Sequence, residues 1–280
     1  MNGMHEASLD ILPSGLLRVK IPTIISWKPG QHVFVRFLTL GPHILTSHPF
    51  TICSIAYDPD TVGKASEIVF LIKPRGGITA RLAKVAAKSP GSTKKVLLEG
   101  PYGGLSETSL AQFNRVLIIA GGSGGGFSLA VVEEALKHRA LSAGNIHVVF
   151  ATRNPAMAAW YTDEIETKLS TFSASKNTTI SVHVTTQELP SPEPEKSDKQ
   201  PAEPNVTSSA QYNLTVHRQR PSIPDIVAGS TNVGPGNRVG VFVCGPASML
   251  HDTRNAAAMA QRGVLSGAAE EVFLHTEPFS

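Results

Sequence analysis

The arrangement of apolar segments after residue 112 restricts the fold of this chain more than any other feature. Apolar runs of strand length alternate there with segments of helix length, and the first run leads into a cluster of glycines. Parallel strands need long crossover connections, usually helices, so this alternation predicts a parallel sheet with helices on its faces. The predicted strands are 115–120, 146–151, 179–185, 239–244 and a closing strand at 271–275; the predicted helices are 128–138, 156–169 and one from Gly245-Pro246 to about residue 262.

The part of the chain before residue 112 has a different pattern. Short segments with alternating apolar residues are separated by turns, as in Val33, Val35 and Phe37, which share one strand face. This pattern predicts a small antiparallel β-barrel. We therefore expect two domains in the 280 residues, a barrel at 1–108 and a parallel-sheet α/β domain at 109–280. The expected barrel strands are 16–21, 33–38, 68–72 and 96–98.

One segment of the second domain has the composition of a disordered insertion. Residues 187–210 carry five prolines among glutamate, lysine and serine. Such a composition cannot bury enough apolar surface to offset the entropy of ordering. We predict that this segment forms no part of either core.

Composition excludes several classes of function. The net charge is only +3 and the basic residues are scattered, so no nucleic-acid partner is predicted. Cys53 and Cys244 are the only cysteines and lie far apart in the sequence, so neither a disulfide framework nor a metal site is expected. The longest apolar runs fall far short of the roughly 20 residues that a membrane span needs. The first ten residues also lack the pattern of a secretory signal, which favours a cytosolic location.

The glycine cluster at 121–126 is a candidate phosphate site. It lies between a buried strand and a helix, where backbone amides can reach a pyrophosphate because no side chain intervenes. The spacing Gly122-x-Gly124-x-x-Phe127 departs from the strict dinucleotide fingerprint, and a tight strand-to-helix turn is the alternative. A ligand here would lie in the usual crevice of a doubly wound sheet.

Two further strand ends point to the same crevice. Arg153 follows the second strand, where an arginine suits the 2′-phosphate of NADPH; a surface arginine is the alternative. Cys244, Gly245 and Pro246 end a later strand, and there the alternative is a packed cysteine. No histidine is placed to activate Cys244, so a covalent nucleophile is not proposed.

Two segments of the barrel half could hold a flavin dinucleotide. Residues 47–52, which are expected to precede a strand, offer an aromatic plane and a hydroxyl group. Residues 73–82 offer cationic side chains, glycines and a helix start for an anionic ligand. Ordinary turns are the alternative for each segment.

Taken in order, these motifs resemble the FAD- and NADPH-binding half of the ferric reductase and NADPH oxidase family, and they are most similar to fungal ferric-chelate reductases. Six ordered segments carry the resemblance, which covers nearly the whole chain apart from the predicted insertion. They are Gly30-Gln31-His32, His48-Pro49-Phe50-Thr51, residues 73–82, residues 99–103, residues 121–127 and Cys244-Gly245-Pro246.

The resemblance implies a ferredoxin-reductase-like fold whose barrel holds FAD. Phe50 would pack against the isoalloxazine, Thr51 would offer its hydroxyl near the reactive flavin nitrogen, and His48 would help to hold the cofactor. Residues 75–79 would form the FAD pyrophosphate site. The residues assigned to FAD are His48, Pro49, Phe50, Thr51, Lys73, Arg75, Gly77 and Thr79.

The resemblance also implies an NADPH site in the second domain. Arg153 would bind the 2′-phosphate, Cys244 would lie at the nicotinamide carbon, and Arg220 with Pro221 resembles an Arg-Pro pair near the same cofactor. Thr51 and Cys244 are the predicted catalytic residues. The residues assigned to NADPH are Gly121, Gly122, Ser123, Gly124, Arg153, Arg220, Cys244, Gly245 and Pro246.

The sequence departs from the family pattern at three places, one of which is Gln219, where a glycine usually precedes the Arg-Pro pair. Gly125 and Gly126 stand where an aliphatic or hydroxyl residue is usual, and each lowers helix stability by about 1 kcal/mol relative to alanine. The C-terminal residues resemble the acidic-aromatic ending of the family, but Phe279 stands where fungal members commonly have tryptophan. Phe279 is therefore expected to shield the flavin in its place, and a less shielded flavin is the alternative.

We predict an NADPH:FAD oxidoreductase that passes electrons to a one-electron acceptor. We expect it to take part in electron transport and iron transport. The resemblance implies that the electrons continue to haems in a membrane bundle outside this chain, which would place the chain at the cytosolic face of a membrane. Two alternatives remain at this stage. One is a soluble NAD(P)H-dependent flavoprotein reductase with a diffusible or protein acceptor, and the other is a non-catalytic remnant that binds a nucleotide.

Overall fold

The computed structural model describes residues 2–38, 44–56, 66–105, 110–139, 145–172, 177–186, 205–209 and 212–278. These residues form two β-sheets, one antiparallel and one mainly parallel. In the described part of the chain, one helix packs against the antiparallel sheet, and several helices pack against the parallel one. Within the described ranges, none of the helices combines the length and the apolar character that a membrane span requires.

The first sheet has six strands in the order β4-β3-β6-β1-β2-β5, and every pair in it is antiparallel. A hydrogen bond of 2.8 Å from the Cys53 amide to the Val69 carbonyl brings the two edges of the sheet together. Inward-facing residues such as Val35, Phe37 and Ile68 are fully buried and fill the interior. The elements are β1 (Asn2–Ile11), β2 (Leu17–Thr23), β3 (Gln31–Phe37), β4 (His48–Thr51), β5 (Ser66–Ile72), α1 (Gly77–Lys88) and β6 (Ser92–Gly103).

The second sheet has seven strands in the order β10-β11-β9-β8-β7-β12-β13, and only β10 runs antiparallel to its neighbour. Its central strands are apolar on both faces because a separate core lies on each side, as parallel sheets require. The elements are β7 (Arg115–Gly121), α2 (Gly125–Arg139), β8 (Asn145–Thr152), α3 (Pro155–Ser170), β9 (Thr178–Val184), β10 (Asn205–Ser209), β11 (Tyr212–His217), α4 (Ile223–Thr231), β12 (Arg238–Gly245), α5 (Ala247–Leu265) and β13 (Glu271–Pro278).

The predicted fold class is confirmed, with three corrections to the elements. Strand β1 was not expected, and the motif at 47–52 does not precede a strand, because four of its residues form β4. Helix α2 begins at Gly125, three residues earlier than expected. A single 3₁₀ turn, Gly122–Gly124, connects it to β7.

The predicted disordered insertion is wrong for its last part. Asn205–Ser209 forms β10, which pairs in antiparallel register with β11 at the edge of the sheet. Residues 187–204 and 210 lie outside the described residues, as does the boundary expected at 108/109. The division into 1–108 and 109–280 therefore stays a prediction.

Candidate functional site

Two adjoining cavities lie between the antiparallel sheet and the carboxyl ends of the parallel strands. The larger has a volume of about 2060 Å³ and the smaller about 390 Å³. Lys73, Arg75 and Ser123 line both cavities, so the two form one continuous site. Lys73 and Arg75 follow β5, and Ser123 belongs to the glycine turn after β7. Both domains therefore contribute to the place where the cavities meet.

The smaller cavity brings together most of the residues predicted to bind a flavin. Thr51 and Phe50 lie on one side, while Phe127 and Cys244 of the second domain lie on the other. Phe50 is partly buried, and its ring centroid lies 5.6 Å from that of Phe70 in the barrel core. An aromatic plane and a hydroxyl group are thus presented together. The predicted residues that line this cavity are His48, Pro49, Phe50, Thr51, Lys73, Arg75, Thr79, Ser123 and Cys244.

The start of helix α1 forms the anion-binding end of this cavity. The Thr79 hydroxyl donates to the Gly76 carbonyl at 2.9 Å and accepts from the Arg75 amide at 3.2 Å, so the turn that carries Arg75 is fixed. Gly77 has a φ of +53° and begins the helix. Gly77 does not itself line either cavity, so its part is to shape the turn.

The glycine turn after β7 shows both the close packing and the open space of a phosphate site. A Cβ atom on Gly124 would overlap the Cys244 carbonyl, and one on Gly121 would lie 2.8 Å from Pro246. These two glycines let the ends of β7 and β12 approach each other. Gly122 differs, because it has a φ of +56° and none of the described residues lies within 4 Å of its Cβ position. Its backbone faces the larger cavity, which leaves space for a pyrophosphate group against the amides.

Gly125, the first of the two further glycines of the run, is explained by packing. A Cβ atom on Gly125 would lie 3.0 Å from the ring of Phe150 and 3.1 Å from that of Tyr161. The Tyr161 ring stacks on Phe150, and its hydroxyl lies 2.9 Å from the Ser128 hydroxyl in the buried interior. The low helix propensity of glycine is therefore offset by close contacts that a larger residue would prevent.

The larger cavity contains the predicted nucleotide residues at the carboxyl ends of the parallel strands. Arg153 is exposed at the end of β8, and Arg220 contacts the start of α5, where its guanidinium donates to the Ser248 hydroxyl at 3.5 Å. Gly245 is not among the residues that line the cavity. It packs against Met249, since a Cβ on Gly245 would lie 2.6 Å from the Met249 sulfur. The predicted residues that line this cavity are Lys73, Arg75, Gly121, Gly122, Ser123, Arg153, Arg220 and Pro246.

One basic residue of this cavity was missed in the sequence. Arg218 follows β11 and lines the cavity together with Arg153, because β11 lies beside β9 in the sheet. The imidazole of His183 donates to the Gln219 carbonyl at 3.0 Å and so holds the segment between Arg218 and Arg220. In the sequence, the two arginines that flank Gln219 could have indicated this second basic residue of the cavity.

Cys244 lies at the end of β12 and is 4% exposed. Burial raises the pKa of its thiol well above the usual range, and the nearby Glu277 carboxylate raises that pKa further. The thiol therefore stays protonated at neutral pH. This supports a packing or positioning role over nucleophilic chemistry.

An acidic residue was also missed. Glu277 pairs in register with Cys244, because β13 runs parallel to β12. Its carboxylate accepts a hydrogen bond from the Thr51 hydroxyl at 3.3 Å, and it lies 3.7 Å from the His275 imidazole. A barrel residue and the last described strand thus meet at the smaller cavity. Phe279, expected to shield the flavin, lies outside the described residues.

Two family models match the chain, one for each part. Residues 1–106 match an FAD-binding domain, and residues 113–258 match the ferric reductase NAD binding domain. The second match alone covers more than half of the chain.

Similar curated proteins are fungal reductases. A probable cell surface ferric reductase kap2 of Aspergillus oryzae is 31% identical over 169 residues, which is 58% of this chain and 22% of that protein. Ferric/cupric reductase transmembrane component 2 of Saccharomyces cerevisiae is 27% identical over 281 residues, covering 91% of this chain and 37% of that protein. The chain therefore spans between about a fifth and two fifths of the length of these relatives.

Solved structures share the two-domain fold. A ferredoxin NADP+ reductase from Neisseria gonorrhoeae, solved with bound FAD and NADP, superposes with a TM-score of 0.59 at 14% identity and covers 98% of both chains. The flavohemoglobin from Malassezia yamatoensis, with bound FAD and heme, gives a TM-score of 0.57 at 17% identity over 98% of this chain and 60% of that one. These likenesses confirm the ferredoxin-reductase-like fold. The two matched family models show that the chain belongs to the ferric reductase family and comprises its FAD-binding and NAD-binding domains.

Proposed function

We propose that this chain accepts electrons from NADPH and passes them through FAD to a one-electron acceptor, as the electron-input half of a ferric reductase. The observation that carries this proposal is the junction of the two cavities. Thr51 of the barrel and Cys244 of the parallel sheet line the same small cavity, although 193 positions separate them in the sequence (244 − 51).

The residues present fit an FAD dinucleotide. The smaller cavity offers the Phe50 ring and the Thr51 hydroxyl for the isoalloxazine. The start of α1 offers backbone amides and the cationic side chains of Lys73 and Arg75 for the pyrophosphate, and no acidic residue occupies the first turn of that helix. Thr79 fixes the same turn through its two hydrogen bonds.

The larger cavity fits NADPH. Gly122 leaves open space beside the backbone amides for the cofactor pyrophosphate, and Arg153 and Arg218 supply positive charge at the strand ends for a 2′-phosphate. Ser123 lines both cavities, and Cys244 lines the smaller one beside it. When both are bound, NADPH supplies a hydride and FAD releases the two electrons one at a time.

The residues of this chain position the two cofactors and determine the polarity around them. The Thr51 hydroxyl donates a hydrogen bond to Glu277, which fixes the orientation of a hydroxyl that lines the smaller cavity. Cys244 contributes a neutral, polarizable surface on the opposite side. A carboxylate and a hydroxyl in direct contact can also hold a proton close to the flavin.

The acceptor and the cellular location belong to the same proposal. The similar curated proteins from yeasts are named transmembrane components, and this chain spans only part of their length. We infer that a haem-bearing membrane bundle receives the electrons and that this chain lies at the cytosolic face of the membrane. Sequencing the 5′ end of the transcript tests this inference: an upstream reading frame with apolar spans and paired histidines is expected, and its absence would favour a diffusible acceptor.

The purified chain provides the direct test of cofactor use. FAD is titrated into the apoprotein while the quenching of flavin fluorescence is followed, and NADPH-dependent reduction of ferricyanide is then measured. We expect saturable FAD binding and FAD-dependent turnover. Failure to bind FAD would contradict the proposed function.

A further inference from the structure

The two domains pack tightly against each other where Gly126 lies beside Cys53. Gly126 is the second residue of helix α2, and Cys53 lies just after β4 in the barrel. A Cβ atom on Gly126 would lie 2.5 Å from the Cys53 sulfur and 3.2 Å from the Leu71 side chain. A distance of 2.5 Å is far below van der Waals contact, so only glycine allows this approach.

This contact lies at the smaller cavity. Cys53 is 9% exposed and lines that cavity together with Thr51 and Cys244. Its thiol donates a weak hydrogen bond to the Thr51 carbonyl, with a sulfur-to-oxygen distance of 3.5 Å. The sulfur of Cys53 therefore links the start of α2 to Thr51, which lines the smaller cavity.

The opposite side of the same turn also packs on a sulfur atom. A Cβ atom on Gly124 would lie 3.0 Å from the Cys244 sulfur, and Gly124 stands only two residues before Gly126. Cys53 and Cys244, one from each domain, thus pack on one short stretch of backbone. Any shift of this stretch relative to Cys53 changes the distance between the two sides of the cavity.

The chemistry of Cys53 indicates that this residue affects the site through the size of its side chain. Burial raises the pKa of its thiol to about 12, so the group is neutral at physiological pH. A buried neutral thiol is a small apolar side chain and a poor nucleophile. The feature available for function is the volume of its sulfur atom.

We propose that the contact between Cys53 and Gly126 is a spacer that sets the separation between the flavin side and the nicotinamide side of the site. Both residues are positioning residues, and this inference rests on the proposed function. Hydride transfer is sensitive to such spacing, since a misplacement of about 1 Å can slow a reaction on the order of a hundred-fold.

A double-mutant cycle tests the spacer. Gly126→Ala, Cys53→Ala and the double variant are compared with the wild-type chain by stopped-flow reduction of bound FAD with NADPH, together with FAD content and melting temperature. We expect Gly126→Ala to slow flavin reduction about ten-fold or more in the wild-type background, because the added methyl forces the sulfur and the helix apart. In the Cys53→Ala background the same change should slow reduction less than two-fold, because the sulfur atom is gone and the remaining contacts, 3.2 Å to Leu71 and 3.3 Å to the residue 53 Cβ, need only a small adjustment.

The smaller effect of Gly126→Ala in the Cys53→Ala background distinguishes a change of spacing from a general loss of stability. An equal slowing by Gly126→Ala in both backgrounds would overturn the spacer. Gly229→Ala in helix α4 is the matched control, since nothing lies within 4 Å of its Cβ position and no effect on reduction is expected.

A second variant covers the case in which Gly126→Ala does not fold. Cys53→Val enlarges the contact from the barrel side and should slow flavin reduction while FAD is retained; a wild-type rate would contradict the spacer. If the wild-type chain itself binds FAD but is not reduced by NADPH, the proposed function fails instead, so the two failures are distinguishable.

Discussion

Replacing Arg153 by alanine tests the preference for NADPH over NADH. Arg153 is exposed at the carboxyl end of β8 and lines the larger cavity. Its backbone carbonyl accepts a hydrogen bond from the Thr186 hydroxyl at 2.7 Å, which holds the strand end in place. The substitution therefore removes the guanidinium group while the local backbone is preserved.

The size of the effect follows from the exposure of the site. A hydrogen bond to a charged group contributes about 1.5 to 3 kcal/mol. Solvent and salt screen an exposed guanidinium, so the lower end of this range, about 1.5 kcal/mol, applies here. Such a loss raises the Kd for NADPH by about ten-fold. The Kd for NADH should stay nearly unchanged, because NADH has no 2′-phosphate.

Equilibrium binding of both cofactors to the FAD-loaded chain measures the effect. Arg262→Ala is the matched control, since Arg262 is equally exposed in the last turn of α5 and lines neither cavity. A higher salt concentration should reduce the difference in the Kd for NADPH between the wild-type chain and Arg153→Ala. Equal weakening of NADPH and NADH binding by Arg153→Ala would refute the 2′-phosphate assignment.

Three further predictions concern other parts of the molecule. Phe50→Ala combined with Arg75→Ala should abolish FAD retention, measured by flavin absorbance after gel filtration; retained flavin would contradict the assigned site. Cys244→Ser should slow anaerobic flavin reduction by NADPH on the order of a hundred-fold at near-normal FAD content, and a wild-type rate would leave Cys244 a packing residue. Burial and the nearby Arg115 lower the pKa of His147 to about 4, so the unfolded chain binds a proton below about pH 6.5 that the folded chain does not. Stability should therefore fall by up to about 3 kcal/mol as pH falls from about 6.5 to 4, and His147→Gln should reduce this loss in urea unfolding; an unchanged pH dependence would contradict the shift.

The parallel sheet could be predicted from the sequence because its signals are local. The apolar run at 116–120 is too continuous for a half-exposed strand, and Val116, Ile118 and Ala120 are indeed fully buried. The glycine cluster that follows it marks a strand-to-helix turn. Both features depend only on neighbouring residues.

The barrel strands that were missed have weak local patterns. Strand β1 buries Ala7 and Leu9 completely, but Met4 in the same strand is 61% exposed, so its alternation is interrupted. Strand β4 has only four residues, all of intermediate burial. Their pairing with longer neighbours fixes these strands, and that pairing is a tertiary effect.

The contacts that complete the site depend on distant segments. Glu277 meets Thr51 across 226 positions, and Gly126 meets Cys53 across the domain boundary. Helix propensity alone makes Gly126 unfavourable, and only the position of the barrel shows why a glycine is needed there. The sequence motifs could predict which cofactors bind, but not how closely the two cofactor sites approach.

Anaerobic reduction of the reconstituted chain tests the central claim most directly. The purified chain is loaded with FAD, freed of excess flavin, and mixed with one equivalent of NADPH while the visible absorbance of the flavin is followed. The bound flavin is expected to lose its oxidised absorbance in a single transition and to regain it when ferricyanide is added. A chain that binds both cofactors but leaves the flavin oxidised would contradict electron transfer across the junction between the two cavities.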